Sequence, residues 1–581
     1  MITREALVET LERTALLLEL KGENAFKIRA YRHGAEAVAS YAGDMMARAR
    51  ANDLEGIPGL GEALRQKVYE LATTGKLEFY EKLRAEFPET LFELFEISGL
   101  GPKKIAVLYN ELGVGTLVEL KAACESGAVA ELSGFGVKTA QKILDGLAYR
   151  EHNAGIFRMD QVAGSVELIL GWLRSQEGVT RAEVGGSFRR GREVVRDLDF
   201  VVVTKHGPSL LADLASQAFV TTVLARGETK ASFRLASGCQ CDVRAVREAE
   251  FATALNYFTG SKEHNVALRA RALKRGWSLN EYRLEGCPEP LHEEADLYRA
   301  LGLDFIAPEL REDRGEIEAA AAGQLPRLVE LAQLRGAFHN HTTASDGTAT
   351  LEEMAAAARE LGLEYLGIAD HSKSSFQARG LDEKRLLAQV EAIAALNEEF
   401  AAQAATEGPF RLLAGSEVDI LKDGSLDFSD EIMGQLDYVV ASVHTAFSLS
   451  EAEMTRRLIR AVENPMVTML GHLTGRLLLK REPYAVDIPA VIEACAATGT
   501  IIEINANPWR LDMDWRWWPL AREKGVRTSI NPDAHSTEDL GFLWHGVRIA
   551  RKGWLTKSDV INTLPLDKIQ ALLRELRLPR S

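Results

Sequence analysis

Six apolar segments in the last 250 or so residues of this chain end in the same way, and that repetition limits how it can fold. They are "YLGIADH" ending at His371, "LLAGSEV" carrying Glu417, "YVVASVH" ending at His444, "VTMLGH" ending at His472, "TIIEINAN", and "RTSINPDAH" carrying Asp533 and His535. Each is a run of Val, Ile, Leu and Ala closed by a polar ligand or an Asn-rich turn. Helix-length amphipathic stretches separate them, so they read as parallel strands alternating with helices. In barrels of such units, chemistry gathers at the carboxyl ends of the strands. With the upstream "FHNHTTASD", the nine candidate ligands are His339, His341, Asp346, His371, Glu417, His444, His472, Asp533 and His535, which take six of the chain's twelve histidines. Imidazole and carboxylate suit a borderline-hard divalent ion. Nine ligands exceed the needs of one ion and fit two or three, an arrangement that hydrolyses phosphate esters. A single histidine here reads equally well as a strand cap or a satisfied core residue; the repeated strand-end placement favours the cluster.

The segments "FHNHTTASDG", "ADHS", "GSEVDI", "ASVH", "GHLTGR" and "NPDAH" resemble the successive motifs of the PHP (polymerase and histidinol phosphatase) family over roughly residues 336–570. The resemblance implies a distorted (βα)7 barrel holding a cluster of up to three zinc or manganese ions, with all nine ligand positions filled and an active phosphoesterase. Arg476 and Arg510 are candidates to steady a phosphate, with exposed arginines as the ordinary alternative.

At 581 residues the chain has room for three or four domains. Its 46% hydrophobic content is that of a globular protein. No apolar run reaches the ~18 residues of a membrane span, and the N-terminus lacks a signal pattern, so a cytoplasmic protein without membrane contact is expected. Five cysteines without a CxxC argue against a disulfide framework or a thiolate zinc site. The net charge of −15 runs against a nucleic-acid partner, but binding depends on local patches. Two are basic, "LKGENAFKIRAYRHGAEAV" and "SFRRGREVVR", although solvated helix faces look the same.

Three segments, "IPGLGEALRQKV" (57–68), "ISGLGPKKIAVL" (97–108) and "LSGFGVKTAQKIL" (132–144), share a Gly-hydrophobic-Gly turn before an amphipathic helix. Glycines let the backbone approach a ligand, and the helix start offers unpaired N–H groups to a phosphate. Three copies suit DNA-backbone contact without sequence readout. The pattern resembles the helix-hairpin-helix motif. Gly59, Gly61, Gly99 and Gly101 are the expected DNA contacts, and the third copy is expected to serve packing only.

In "EVGGSFRRGREVVRDLDFVVV" (183–203), Gly185, Gly186 and Ser187 form a turn able to approach a phosphate. Asp197 and Asp199 alternate on an apolar strand, so both carboxylates share a face. Asp242, in the apolar "CQCDVRAV", has room to lie alongside. Three carboxylates on adjoining strands seat two magnesium or manganese ions. A solvent-facing D-x-D is the bland alternative, weakened by the Gly-Gly-Ser turn upstream.

These residues, together with "LNYFTGSKEHNVALRARAL" (255–273), resemble the nucleotidyltransferases and family X DNA polymerases in particular. By matching positions, the resemblance implies that Asp197, Asp199 and Asp242 bind two metals and that Gly186, Ser187 and Arg190 hold the incoming triphosphate. Tyr257 and Phe258 would pack against the sugar, Gly260 leave it space, Asn265 meet the base edge, and Arg269 the template side. Two positions depart from the pattern: Arg196 replaces a glycine before the first aspartate, and Gln240 replaces a basic residue that would orient Asp242. The first 90 or so residues resemble the family's small DNA-end-binding domain. There Lys67 matches a Schiff-base lysine of the deoxyribose-phosphate lyases, with Lys27 and Tyr31 in support; a phosphate-contacting lysine is the plainer reading.

The expected organisation is α-helical hairpin domains at 1–90 and 91–150, an α/β nucleotidyltransferase palm at 151–245, a nucleotide-selection domain at 246–312, a linker at 313–335 that lets the barrel move, and the PHP barrel at 336–581. The chain is identified as a bacterial family X DNA polymerase with a PHP domain, filling short gaps in repair and trimming 3′ ends. Its expected partners are gapped or nicked DNA, deoxynucleoside triphosphates and other repair proteins; a monomer, nucleoid-associated when acting on DNA, is expected. The alternatives are a phosphoesterase or nuclease with weak polymerase activity, a DNA-binding scaffold, a small-molecule phosphatase, and a template-independent nucleotidyltransferase.

Overall fold

The structure is a computed structural model of the chain, in which residues 2–39, 41, 45–57, 59–97 and 100–577 are described. It divides into two compact units, Met1–Ala154 with Gly347–Leu351, and Gly155–Asp346 with Glu352–Ser581.

The first unit is helical. Each hairpin glycine turn leads into a helix: Glu62–Thr74, Pro102–Leu112 and Gly136–His152. One apolar core, including Leu11, Leu64, Val68, Leu94, Ile105, Leu120 and Ile143, runs through both hairpin regions. The boundary expected near residue 90 therefore separates sequence motifs that share one core.

The second unit begins with a five-stranded mixed sheet. Asp197–Thr204 lies between Val179–Val184, antiparallel, and Gln240–Val246, parallel; Lys230–Leu235 and Val220–Arg226 complete the sheet. Phe200, Val201, Val202 and Val203 are all buried, which anchors the strand that carries the two aspartates. The helices Phe251–Thr259, Lys262–Lys274 and Glu294–Ala300 follow.

The stretch expected to be a mobile linker is packed instead. Its helix Glu316–Ala321 puts Ile317 and Ala320 into one core with Leu268, Leu297, Tyr298 and Leu310. Glu316 is fully buried, its Oε1 2.7 Å from His264 Nδ1. Val329 is also buried, and its N–H donates to the Leu555 carbonyl at 3.0 Å. The Ala-rich, charged composition concealed this, because the few apolar side chains that do the packing are widely spaced.

Seven parallel strands follow in chain order: Gly336–Asn340, Tyr365–Ile368, Arg411–Asp419, Tyr438–Ser442, Met469–Leu470, Ile501–Asn505 and Thr528–Asn531. A parallel bridge from Asn340 to Ala534 brings the first strand to the end of the last, so the barrel is nearly closed. The strands are buried on both faces, as parallel sheets require. Tyr438 fills the interior because its neighbours are small: a Cβ on Gly367 would stand 2.5 Å from the Tyr438 hydroxyl oxygen.

Candidate active sites

At the barrel mouth all nine expected ligands converge. Four groups have ligand atoms within 4.8 Å of one another: His341, Asp346, His371 and His535; His339, His341 and Asp533; His339, Glu417 and His472; and His371, Glu417 and His444. The groups share members, and Glu417 is the hub. Its Oε1 lies 2.9 Å from His472 Nε2 and 3.2 Å from both His339 Nε2 and His444 Nε2, while Oε2 lies 2.8 Å from His371 Nδ1. Asp533 Oδ1 is 3.2 Å from His341 Nε2, and Asp346 spans His371 and His535 at 3.5 and 3.4 Å.

The donor set fits a cluster of cations. His339 Nε2, both ring nitrogens of His341, Glu417 Oε2 and His472 Nδ1 are buried without a hydrogen-bond partner. Orphaned buried polar atoms are costly unless something binds them. Burial would raise the Glu417 carboxyl, but His444, His339 and His371 hold it well below the usual carboxylate range. Burial, then His535 and His371, lower the pKa of His341, which favours the neutral imidazole with one ring nitrogen open to an ion. His339 and Asp533 hold positive φ values of 58° and 51°, a left-handed conformation uncommon outside glycine but one that His and Asp adopt more readily than most residues.

Further residues orient these ligands. Glu503 is fully buried: Oε1 meets His339 Nδ1 at 2.6 Å, and Oε2 accepts from the His472 backbone N–H at 2.7 Å. Asp419 Oδ1 meets His444 Nδ1 at 2.7 Å. Such carboxylate–imidazole pairs fix the ligand tautomer. Glu503 escaped the sequence reading because it lies inside the run "TIIEIN", which shares the strand plan but has no ligand at its end.

The two arginines part ways. Arg476 is fully engaged with the Arg510 and Leu511 carbonyls and with Asp514, so it is structural and not a phosphate contact. Arg510 Nε lies 3.4 Å from Asp533 Oδ2, and its Nη1 is buried without a hydrogen-bond partner at the mouth of the site.

In the palm, strand pairing sets Asp199 opposite Asp242 and Asp197 opposite Gln240. Burial, then Asp197 and Asp242, push the Asp199 carboxyl up to about 7. Carboxylates crowded in this way call for cations. They fit two divalent ions by donor type, although they do not form as tight a group as the barrel ligands. The charge missing at Gln240 comes from elsewhere: Lys230, on the neighbouring strand, pairs with Asp242 Oδ2 at 2.7 Å. Gln240 Nε2 itself donates to Asp242 Oδ1 at 3.1 Å. Asp242 is thus oriented after all, contrary to expectation. Arg196 projects into solvent.

The Gly-Gly-Ser turn packs directly on the acids. Gly186 has φ 61°, and a Cβ there would stand 2.4 Å from Asp199 Oδ2, so only glycine fits. Tyr257 and Phe258 meet edge to face at 5.0 Å. Asn265 Nδ2 donates to the Tyr257 carbonyl at 2.8 Å, and the Arg269 guanidinium sits 5.1 Å from the Tyr257 ring. Arg190 Nε pairs with Glu312 at 3.0 Å and its Nη1 donates to the Thr259 carbonyl; a Cβ on Gly260 would stand 3.2 Å from that Nη1.

In the helical unit, Gly61 and Gly101 are extended helix N-caps without side-chain bonds, which leaves first-turn N–H groups for an anion, although Pro102 at the head of the second helix has none to offer. Gly59 holds φ 87° against the His33 carbonyl. Gly99 lies outside the described residues. The third hairpin is built differently: the buried Phe135 precedes the helix. Lys67 Nζ sits 4.5 Å from the Phe79 ring and 5.8 Å from the Tyr31 ring. Burial, then Lys27, lower its pKa.

Family models match this order of parts: helix-hairpin-helix over 2–77, a helix-hairpin-helix tandem over 91–148, the DNA polymerase beta thumb over 254–312, and the PHP domain over 337–507. The chain is 37% identical over 577 residues to the DNA polymerase/3'-5' exonuclease PolX of Bacillus subtilis (strain 168), covering 98% of this chain and 99% of that one. It belongs to the PHP-bearing family X DNA polymerases. A probable phosphatase of Thermoanaerobacter sp. (strain X514) is 28% identical over 41% of this chain and 93% of its own length. Rat DNA polymerase lambda is 28% identical over 44% of this chain and 48% of its own length. The family X resemblance in the palm and the PHP resemblance in the barrel thus meet in one relative that spans the whole chain.

Proposed function

We propose that this protein is a DNA-directed DNA polymerase that fills short gaps in repair and trims 3′ ends with a metal-dependent 3′→5′ exonuclease in its barrel. The observation that carries the reading is two separate sites on one chain, the acid-bearing palm turn and the nine-ligand barrel mouth. Bound divalent ions, two in the palm and up to three of zinc or manganese in the barrel, supply nucleophile activation and stabilisation of the leaving oxygen.

The chain's own residues do the rest. Asp197, Asp199 and Asp242 hold the palm ions, and Gly186, Ser187 and Arg190 take the triphosphate, where backbone N–H groups and a guanidinium match its charge. Tyr257 and Phe258 form the sugar wall. Asn265 and Arg269 reach the base pair once released from Tyr257. In the barrel, Arg510, whose Nη1 is buried without a hydrogen-bond partner and whose Nε lies beside Asp533, would steady the scissile phosphate. Gly59, Gly61 and Gly101, with Lys27, grip the DNA backbone; Tyr31 is buried against Phe79 and so cannot touch DNA itself, and it packs beside Lys67, which acts on 5′-deoxyribose phosphate. The substrates are gapped or nicked duplex DNA and deoxynucleoside triphosphates. The protein works as a monomer in the cytoplasm, at the nucleoid, beside other repair proteins.

One gel tests this. A 5′-labelled primer on one-nucleotide-gapped DNA is incubated with Mn²⁺, with and without nucleotides. Extension is expected to vanish in Asp197→Ala/Asp199→Ala and degradation in His339→Ala/His341→Ala. Neither change in the wild type would sink the reading.

A further inference from the structure

The turn that carries Ser187 and Arg190 is a single helical turn, Gly186–Arg189. So short a helix satisfies few of its own carbonyls; the Phe188 carbonyl takes the Gly191 N–H at 3.0 Å and accepts a second donor besides. Here the carbonyls are met from behind by the barrel. Arg548 Nη2 donates to the Phe188 carbonyl and, at 3.3 Å, to the Arg189 carbonyl. Lys552 Nζ donates to the Arg190 carbonyl at 3.1 Å. Arg548 and Lys552 sit one turn apart on the helix Leu543–Lys552, so both project from one face. Two cations from one barrel helix thus close three consecutive carbonyls of the polymerase turn.

The same lysine governs the Arg190 side chain. Lys552 Nζ pairs with Glu312 Oε1 at 2.6 Å, and that oxygen also takes Arg190 Nε at 3.0 Å. Glu312 Oε2 lies 3.4 Å from Arg192 Nη1. One carboxylate therefore serves three cations, two of them from the turn itself and the third from the barrel. Lys552 is wholly buried, and burial, against the pull of Glu312, brings its ammonium down to about 8. A buried ammonium persists only when its partners are fixed, and it fixes them in return. The surrounding contact is broad: Arg551 pairs with Glu309 at 2.8 Å, Arg476 Nη2 lies 3.5 Å from Glu193, and the Arg158 guanidinium lies 3.4 Å from the Trp509 ring centre.

We propose that Lys552 and Arg548, on the barrel, are positioning residues of the polymerase site, holding the nucleotide-binding turn and the Arg190 side chain so that affinity for the incoming nucleotide depends on the PHP domain. This rests on the reading of Ser187 and Arg190 as triphosphate contacts. The barrel is then more than an attached nuclease: its outer helix completes the rear wall of the palm.

The test is steady-state single-nucleotide insertion by the full-length protein on gapped DNA, with exonuclease rate measured on the same preparations. Lys552→Met is expected to raise KM for the nucleotide about 10- to 100-fold, the worth of charged hydrogen bonds. Its kcat is expected to change less, and its exonuclease rate to stay at wild type. Lys552→Arg is expected to restore most of the KM, which a purely packing role would not predict. Should Lys552→Met also lose exonuclease activity through misfolding, Arg548→Gln decides by the same KM criterion. Arg190→Ala separates the two readings. A raised KM in Arg190→Ala with wild-type KM in Lys552→Met and Arg548→Gln overturns the positioning role alone. Wild-type KM in Arg190→Ala overturns the triphosphate assignment beneath it.

Discussion

Glu503 Oε1 stands 2.6 Å from His339 Nδ1 in the floor of the barrel, with both side chains fully buried. The contact turns the other ring nitrogen, Nε2, towards Glu417 and Asp533 at 3.2 and 3.7 Å. A carboxylate is doing here what a neutral amide cannot do as well, which is to hold one imidazole tautomer and strengthen its basicity. Glu503→Gln is expected to lower metal affinity or exonuclease rate ~10- to 100-fold while leaving primer extension intact. Metal content after dialysis and the two activities on one preparation check it; wild-type exonuclease with full metal content would refute the role.

Asp199 makes ion binding in the palm release protons. Its carboxyl ordinarily titrates at 3.8 and is raised to about 7, chiefly by burial. Near pH 7 it is about half protonated, and a bound ion displaces that proton. Such a raised carboxyl penalises the ion-free fold as pH climbs from 3.8 towards 7. Palm affinity for Mn²⁺ is expected to rise across that window. Calorimetry in two buffers of different ionisation enthalpy should show proton release on Mn²⁺ binding near pH 7, and the release should fall in Asp199→Asn, the difference between the two proteins reporting the palm.

Glu294 sits between Arg189 and Arg311, 2.6 Å from each, and Arg311 is wholly buried. Burial opposes its charge, but Arg311 and Arg189 hold its carboxyl at about 2 against an ordinary 4.5. That stability is present above 4.5 and is lost as pH falls through about 2. Glu294→Gln strands a buried guanidinium and is expected to destabilise the fold by ~3–5 kcal/mol. Urea unfolding at pH 7 and at acid pH should show the gap between wild type and variant narrowing as pH falls.

Lys67 has the environment of an amine nucleophile, lowered by burial and by Lys27. Borohydride should trap a covalent adduct on DNA bearing a 5′-deoxyribose phosphate, absent in Lys67→Ala. In Lys27→Ala the lysine loses a neighbouring cation, so the pH profile of trapping should move to higher pH. Trapping that survives Lys67→Ala would assign the chemistry elsewhere.

Much of the two sites was legible in the chain because strands carry their chemistry in a fixed register. Alternation put Asp197 and Asp199 on one face, and strand-end placement sent nine ligands to one mouth. The hidden parts were those whose partners lie far away in sequence. Glu503 looked like one more residue in an apolar run. Lys230 gave no sign that it would supply the charge lacking at Gln240. The stretch 313–335 looked like a linker because only a few of its side chains pack.

The sequence by itself determined the elements, the ligand inventory and the family, since these depend on local periodicity and on residue types at fixed spacing. Only the tertiary structure decided which groups share charge. Arg476 became structural while Arg510 kept a buried, unpartnered nitrogen, and Lys552, 362 positions beyond Arg190, came to cap that residue's carbonyl. Electrostatic partnership in a buried setting depends on distance and desolvation in three dimensions, and neither is written along the chain.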